Sequence, residues 1–378
     1  NTNITVRLDD NFFEQLNNGG NIKLRNIVDN SISAEISADQ MLKELSFGSW
    51  RVGDPGVQYE SLIQEMHTSK NSGRINSSNP CSEYMFLDDT SCNLASTNLL
   101  KFADELGNFN VEKYSKANKL ISIALDIAND AASYPVESIA RTSPEFRTIG
   151  LGYGNVGALL MRKGLAYDSG EGRNYAAAIT ALMTANAYEA STDMAENLGT
   201  FVHHEFNKLP MLDVINKHKE NLDDINWENI QPDLKTAAYT AWKNAIKRGK
   251  DVGFRNAQAT VLAPTGTISY FMGNDTTGVE PSLSLRYNKN LAGGGSITLI
   301  NREVPHALEN LGYNSSQIKD IENHIKEENT VIGSPHLSPN YYNVFDTAFG
   351  NIKGQGSISF EGHVGMLGAT QPFISGAI

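Results

Sequence analysis

Two cysteines, Cys81 and Cys92, sit eleven positions apart in a chain of 378 residues, and the residues around the first could do chemistry together. In Asn79-Pro80-Cys81-Ser82-Glu83 an amide, a thiol and a carboxylate fall on alternate positions. If this segment is extended, the three side chains point to one face. An amide can orient a hydroxyl, a thiol can donate a hydrogen atom or attack, and a carboxylate can take a proton. The same residues also have a purely structural reading: Asn-Pro opens turns, and a lone cysteine is usually a small buried hydrophobe. On spacing alone the structural reading has the advantage. Cys92, in Thr90-Ser91-Cys92-Asn93-Leu94-Ala95-Ser96, reads by itself as a structural thiol at the start of an apolar segment.

A second group is Leu262-Ala263-Pro264-Thr265-Gly266-Thr267-Ile268-Ser269. Here a strand-like run ends at proline, and two hydroxyls and a glycine follow. Glycine lets the backbone approach an anion, and N–H groups with threonine hydroxyls can hold phosphate without a lysine. An ordinary strand-to-turn connection explains the segment equally well. No Gly-Lys-Ser/Thr follows, so this is not a P-loop. The run Gly150-Leu151-Gly152-Tyr153-Gly154-Asn155-Val156-Gly157 contains GxGxxG frames. The residues before it, Arg141 to Arg147, include Pro144 and charges, which make a poor strand. A dinucleotide fingerprint is therefore discounted in favour of close packing at a helix start. Gly293-Gly294-Gly295 reads as a flexible loop, and the eight histidines, His203-His204 included, show no metal-ligand spacing.

The elements that must position these residues are mostly helical. Ala38 to Leu45, Val111 to Ala132, Asn174 to Asn197, Asp233 to Arg248, Glu303 to Leu311, Ser315 to Glu328 and His363 to Ala369 read as helices. In the second of these, Leu120, Ile121, Ile123, Ala124, Ile127 and Ala128 form an apolar stripe expected to face the core. Strands are expected at Asn3 to Leu8, Met85 to Leu87, Gln258 to Ala263 and Gly356 to Phe360. Short strands among many helices argue for an α/β or helix-rich α+β fold. No linker divides the chain.

Lys and Arg number 31 against 43 Asp and Glu, a formal charge of −12. A general binder of nucleic-acid polymers or anionic membranes would be basic, so any phosphate site is local. Two cysteines are too few for a disulfide scaffold or a four-cysteine zinc site, and fit a reducing cytoplasm, which also disfavours a static Cys81–Cys92 disulfide. There is no transmembrane-length apolar run and no signal-peptide core. The chain begins at Asn1 in a strand-like run and stops in the apolar run Phe373-Ile374-Ser375-Gly376-Ala377-Ile378, which reads as an internal piece of a longer chain.

Six motifs in order carry a resemblance. They are Asn79 to Glu83, Thr90 to Ser96, Arg147-Thr148-Ile149-Gly150-Leu151-Gly152, Ala263 to Ser269, Asp275-Thr276-Thr277-Gly278-Val279-Glu280-Pro281, and Gln371 to Ile378. Together they resemble the catalytic subunit of ribonucleotide reductase, specifically its adenosylcobalamin-dependent class II enzymes, and the likeness runs the length of the chain. The resemblance implies a ten-stranded α/β barrel of two five-stranded halves, of which residues 1–378 are one incomplete part, with a central finger loop at about residues 76–92. It implies that Cys81 is the thiyl-radical cysteine, that Asn79 and Glu83 are its flanking amide and carboxylate, and that Cys92 is one of two cysteines that reduce the substrate. It implies a substrate site that includes Asn79, Pro80 and Ser82, with the phosphates on Pro264, Thr265, Gly266, Thr267 and Ile268. The implied cofactor is adenosylcobalamin, the implied substrate a ribonucleotide, and the implied partner a thioredoxin-type reductant, with a homodimer or complementing chain fragments as the assembly.

The departures are as specific. In the family the redox partner of Cys92 and the effector segments lie upstream of Asn1, and the cysteine-rich tail lies beyond Ile378. No third cysteine is present. A fragment of this kind is expected not to turn over and to leave strand edges unpaired. Two alternatives stay open at this stage. One is a class I large subunit served by a di-iron or di-manganese partner, and the other is a catalytically dead nucleotide-binding barrel. The intact Asn79, Cys81 and Glu83 argue against the second.

Overall fold

Alanine has the highest helix propensity, and the alanine-rich run forms a 29-residue helix, Gly170–Leu198. The Ser169 hydroxyl caps its start by accepting the Gly172 N–H at 2.9 Å, and Gly199, at φ 84°, ends it. This computed structural model describes residues 2–290 and 294–378; Gly293 of the expected glycine loop lies outside the described residues. The long helix is buried nearly all round from Tyr175 to Ala195, which makes it the centre of the core rather than a surface helix. The Val111–Ala131 and Pro232–Asp251 helices pack on it. A second apolar cluster joins the Glu303–Asn310 and Ser315–Glu328 helices through Val304, Leu308, Ile321 and Ile325.

Eight strands are described, in four pairs. β1 (Thr5–Leu8) lies parallel to β4 (Gly56–Tyr59), and β2 (Asn21–Arg25) forms a hairpin with β3 (Ile32–Ser37). β5 (Asn93–Asn98) lies parallel to β6 (Ile149–Gly154), and β7 (Arg286–Asn290) is antiparallel to β8 (Ser296–Ile300). Helix and strand are thus mixed, as expected, but the pairs close no barrel among the described residues. No helix among them is long and apolar enough to cross a membrane.

All seven expected helices form, and the differences from expectation have local causes. The apolar stripe on Val111–Ala131 is turned the other way. Leu120, Ile123 and Ile127 are exposed, while Tyr114, Asn118, Ser122, Leu125, Asp126 and Asn129 are buried. The inward face is set by charge: Arg147 donates to both Asp126 carboxylate oxygens at 2.9 Å and to Asp130 at 2.6 Å, which pulls the polar side of the helix into the core. The expected Met85–Leu87 and Gly356–Phe360 strands reduce to single bridges, Ser78 with Met85 and Thr347 with Ser357. Ser359 instead caps a helix, Phe360–Thr370. The segment from Gln258 is buried and extended but makes one formal bridge, Thr260 with Leu151.

Candidate active site

β5 and β6 run in parallel register from Asn93 opposite Ile149 to Asn98 opposite Gly154. The free edge of β6 takes residues 258–262: Ile149 N–H donates to Gln258 O at 3.0 Å, and Val261 N–H to Leu151 O at 3.1 Å. That segment in turn holds residues 375–377. Gly376 N–H donates to Thr260 O at 2.9 Å, Leu262 N–H to Ala377 O at 3.0 Å, and the Ser375 hydroxyl accepts from the N–H groups of Ala259 and Thr260. Finally Ala377 N–H donates to Glu83 O at 2.8 Å. Motifs scattered from residue 83 to residue 377 therefore lie side by side.

Glycine makes this closeness possible. A Cβ on Gly150 would stand 2.7 Å from Cys92 Sγ, 2.5 Å from Leu94 and 2.8 Å from Val261. On Gly152 it would stand 2.5 Å from Val261 O, and on Gly376 it would be 2.6 Å from Gln258 Nε2 and 2.8 Å from Glu83 O. The GxGxxG frames thus begin inside a buried strand rather than at a helix start, which corrects the expectation for Gly150, Gly152 and Gly154. Gly157 does sit at a helix start against Glu280 O, 2.6 Å from its Cβ position.

The Cys81 segment is a turn rather than an extended strand. Asn76 Nδ2 donates to Asp88 Oδ2 at 2.7 Å across its base, and Ser78 bridges Met85. At the tip Ser82 N–H donates to Asn79 O at 3.0 Å, and Ser82 takes the left-handed conformation, φ 69°. Alternation therefore does not place Asn79, Cys81 and Glu83 on one face. Cys81 is exposed at the tip with Pro80, and Asn79 and Ser82 are half-buried. Asn79 Oδ1 accepts the Tyr84 N–H at 2.9 Å, which turns the amide so that its Nδ2 is left to meet a ligand. Glu83 is buried, and its Oε2 has no hydrogen-bond partner among the described residues. A buried carboxylate oxygen without a partner is costly unless something else binds it.

Cys92, at the start of β5, is a free thiol whose sulfur lies over Gly150. Burial, and secondarily the nearby Glu83 carboxylate, push this thiol well up from its ordinary range, so it stays protonated at neutral pH. The turn before it is fastened to the Cys81 loop by Tyr84. That hydroxyl meets Thr90 Oγ1 at 2.7 Å, Ser91 O at 3.3 Å and Thr148 Oγ1 at 2.8 Å. Sequence reasoning missed Tyr84, whose role rests on partners up to 64 positions away.

The Pro264 loop closes the other end. Thr265 is buried at φ 48°, and its hydroxyl accepts the Gly278 N–H at 2.6 Å and a Ser269 hydroxyl at 3.2 Å. It thus latches the 275–281 segment and is not presented outward as expected. Pro264, Gly266, Thr267 and Ile268 are exposed. Asn155 ties the same region to the strand ends: its Oδ1 accepts from Asp275 N–H and Thr276 N–H, and its Nδ2 donates to Asn98 at 2.8 Å. Thr265 Oγ1 lies 3.5 Å from a Gly154 Cβ position. One strand, β6, therefore carries the Cys92 contact at Gly150 and the Thr265 contact at Gly154, four residues or about 13 Å apart. Cavities of about 480 and 300 Å³ flank the stem of the Cys81 loop, lined in part by Asn71, Arg74, Asn76 and His203 and by Arg7 and Glu60; neither reaches Cys81, Glu83, Cys92 or the Pro264 loop. No group of three His, Cys, Asp or Glu side chains among the described residues is placed to hold a metal ion.

A family model described as "Ribonucleotide reductase, barrel domain" matches residues 1–378. The chain is 44% identical to a vitamin B12-dependent ribonucleotide reductase of Rhodopirellula baltica and 43% identical to one of Streptomyces coelicolor, in both cases across all of this chain. It is 26% identical, over 84% of its length, to a vitamin B12-dependent ribonucleoside-diphosphate reductase of Thermoplasma acidophilum. The chain spans 36% of the length of the first and third and 39% of the second. The motifs that meet along β6 and the match over every residue lead to one conclusion: the chain belongs to the ribonucleotide reductase barrel-domain family.

Proposed function

We propose that this chain supplies part of a single catalytic barrel domain, and that the full-length protein reduces ribonucleotides to 2′-deoxyribonucleotides by a thiyl-radical mechanism. The observation that carries the reading is the side-by-side placement of Glu83, residues 375–377, residues 258–262, β6 and β5 with Cys92 at its head. In a completed ten-stranded barrel these segments would be one wall, and the 76–92 turn the finger loop. The span along β6 suits an elongated ligand, with its sugar near Cys81 and Glu83 and its phosphates at the Pro264 loop.

Cys81, exposed with a free thiol, leaves room for a bulky radical-generating group, and this fits adenosylcobalamin. When bound, that cofactor supplies the radical by cleavage of its cobalt–carbon bond. The vitamin B12 dependence in the names of the relatives favours it over a metal-containing partner subunit. The exposed tip, Pro80 and Cys81, is the part of the chain free to face it. As a thiyl radical, Cys81 takes the hydrogen atom from the ribose 3′ carbon. Glu83, through its unpartnered oxygen, accepts the 3′-hydroxyl proton, which assists loss of the 2′-hydroxyl as water. Asn79 Nδ2 holds the sugar, the Ser82 hydroxyl being engaged by Gln58. Cys92 and a second thiol give two electrons and two protons and close to a disulfide, and Cys81 recovers its hydrogen atom at the end of the cycle. The thiols of Cys92 and its partner are then restored by a thioredoxin-type reductant in the cytoplasm. Phosphate binding falls to the Gly266, Thr267 and Ile268 N–H groups and the Thr267 hydroxyl, Thr265 having turned inward.

The test is a comparison of single and sustained turnover in the full-length protein. Cys92→Ser should still permit cobalt–carbon cleavage but block repeated product formation with dithiols. Repeated turnover of Cys92→Ser at the parent rate would remove the reductant role.

A further inference from the structure

Gln58, on β4, is buried and stands opposite Arg7 in the parallel β1–β4 register. Its Oε1 accepts from Arg7 Nε at 2.8 Å. Arginine can only donate, so this contact fixes which way the amide points: the NH₂ must face the Cys81 loop. That NH₂ donates to Ser78 Oγ at 2.7 Å and to Ser82 Oγ at 2.8 Å. One amide group therefore spans the turn that carries Cys81, gripping the residue before Asn79 and the residue after Cys81. Arg7 holds the two arms of the same loop lower down, donating to Ile75 O at 2.5 Å and contacting Met85 Sδ at 3.8 Å. Glu60 pairs with Arg7 at 2.9 Å and with Arg74 at 2.7 Å, which anchors the guanidinium in turn. Ser82 needs such a hold. A left-handed φ of 69° is unfavourable for a residue other than glycine and persists only when the surroundings impose it.

We propose that Gln58, oriented by Arg7, is a positioning residue for Cys81: its two hydrogen bonds to Ser78 and Ser82 set the shape of the turn and hence where the Cys81 sulfur stands. This rests on the radical role of Cys81 proposed above. Hydrogen-atom transfer demands close approach, and a misplacement of about 1 Å at a reacting centre costs as much as 10²-fold in rate. Neither Gln58 nor Arg7 need touch the substrate for this to operate.

The experiment uses the full-length protein with Gln58→Met, which keeps side-chain length and loses both donors, Gln58→Glu, and Ser82→Ala. Gln58→Met should lower kcat about 10- to 100-fold with little change in substrate KM. Ser82→Ala should lower kcat in the same way, and the double variant should be less than additive because both remove one interaction. Gln58→Glu should recover only part of the loss, since its carboxylate keeps the Arg7 contact and can accept from the Ser82 hydroxyl, whereas the Ser78 hydroxyl already donates to Asn79 O. A second readout needs no turnover: alkylation of Cys81 should change rate in Gln58→Met and Ser82→Ala, while Cys92 in the same molecules reacts as in the parent. Should Gln58→Met fail to fold, Ser82→Ala, half-exposed at the tip, carries the test. A parent kcat in Ser82→Ala or Gln58→Met, a rise in KM in place of the fall in kcat, or unchanged Cys81 alkylation would overturn the proposal. If Cys81→Ser itself kept full turnover, the radical reading would fail, and the alkylation rates would still decide whether Gln58 shapes the turn.

Discussion

Gly150→Ala is the substitution for which the structure gives the clearest magnitude. The strand backbone of β6 accepts any residue at this position, so the cost is wholly one of contact. The new methyl would lie 2.5 Å from Leu94 Cδ2, 2.7 Å from Cys92 Sγ and 2.8 Å from Val261 Cγ2. Ordinary contacts between such atoms are about 3.5–4.0 Å, so each neighbour must retreat by about 1 Å. Leu94 is 51% exposed and can swing outward, but Val261 is fully buried and has nowhere to go. Overpacking of this kind costs about 1–3 kcal/mol, and the buried Val261 places it in the upper part of that range. The Cys92 sulfur must also move by about 1 Å, enough to slow a step that depends on its position by up to about 10²-fold. Urea denaturation gives the first quantity and the rate of sustained product formation the second. Gly368→Ala is the control: it lies in the Phe360–Thr370 helix with nothing within 4 Å of its Cβ position, and should gain about 0.5–1 kcal/mol. A Gly150→Ala protein as stable as the parent, with unaltered turnover, would refute the reasoning that these glycines exist for close packing under Cys92.

Three further outcomes follow from the same geometry. Burial holds His67 and His218 down to about 4, so the unfolded chain binds their protons first: stability should be full above about pH 6.5 and fall as pH drops toward 4, by at most about 3 kcal/mol for each group, and His218→Gln should flatten part of that limb in pH-dependent denaturation. Thr267→Ala should raise substrate KM with kcat held. Thr265→Val should lower thermal stability through loss of the Gly278 latch, and an effect of Thr265→Val on KM alone, without loss of stability, would return its hydroxyl to the phosphate site.

How far the sequence could be read depended on the range of the interactions. Helices were legible because their signals are local: Ser315–Glu328 was bounded correctly, with Asn314 and Gln317 forming a capping box at its start. Periodicity found the Val111–Ala131 helix but chose the wrong face, since the choice was made by Arg147, 21 positions from Asp126 and inaccessible to a local pattern. β6 is not legible in the sequence because glycine is depleted in strands, and here close approach to Cys92 and Val261 overrides that propensity. Asn79, Cys81, Glu83, Cys92 and the Pro264 loop were picked out by residue type and order. Their geometry was not. The turn at Asn79–Ser82 depends on a left-handed serine, and Gln58 reaches it from 20 and 24 positions upstream.

The central claim is that Cys81 carries the radical. The measurement that meets it most directly is deoxyribonucleotide formation by the full-length protein incubated with ribonucleotide, adenosylcobalamin and a dithiol, alongside the affinity of the same protein for the ribonucleotide. An O–H bond is much stronger than an S–H bond, so Cys81→Ser should abolish product while leaving nucleotide affinity close to that of the parent. Product formation by Cys81→Ser above trace level would contradict the account.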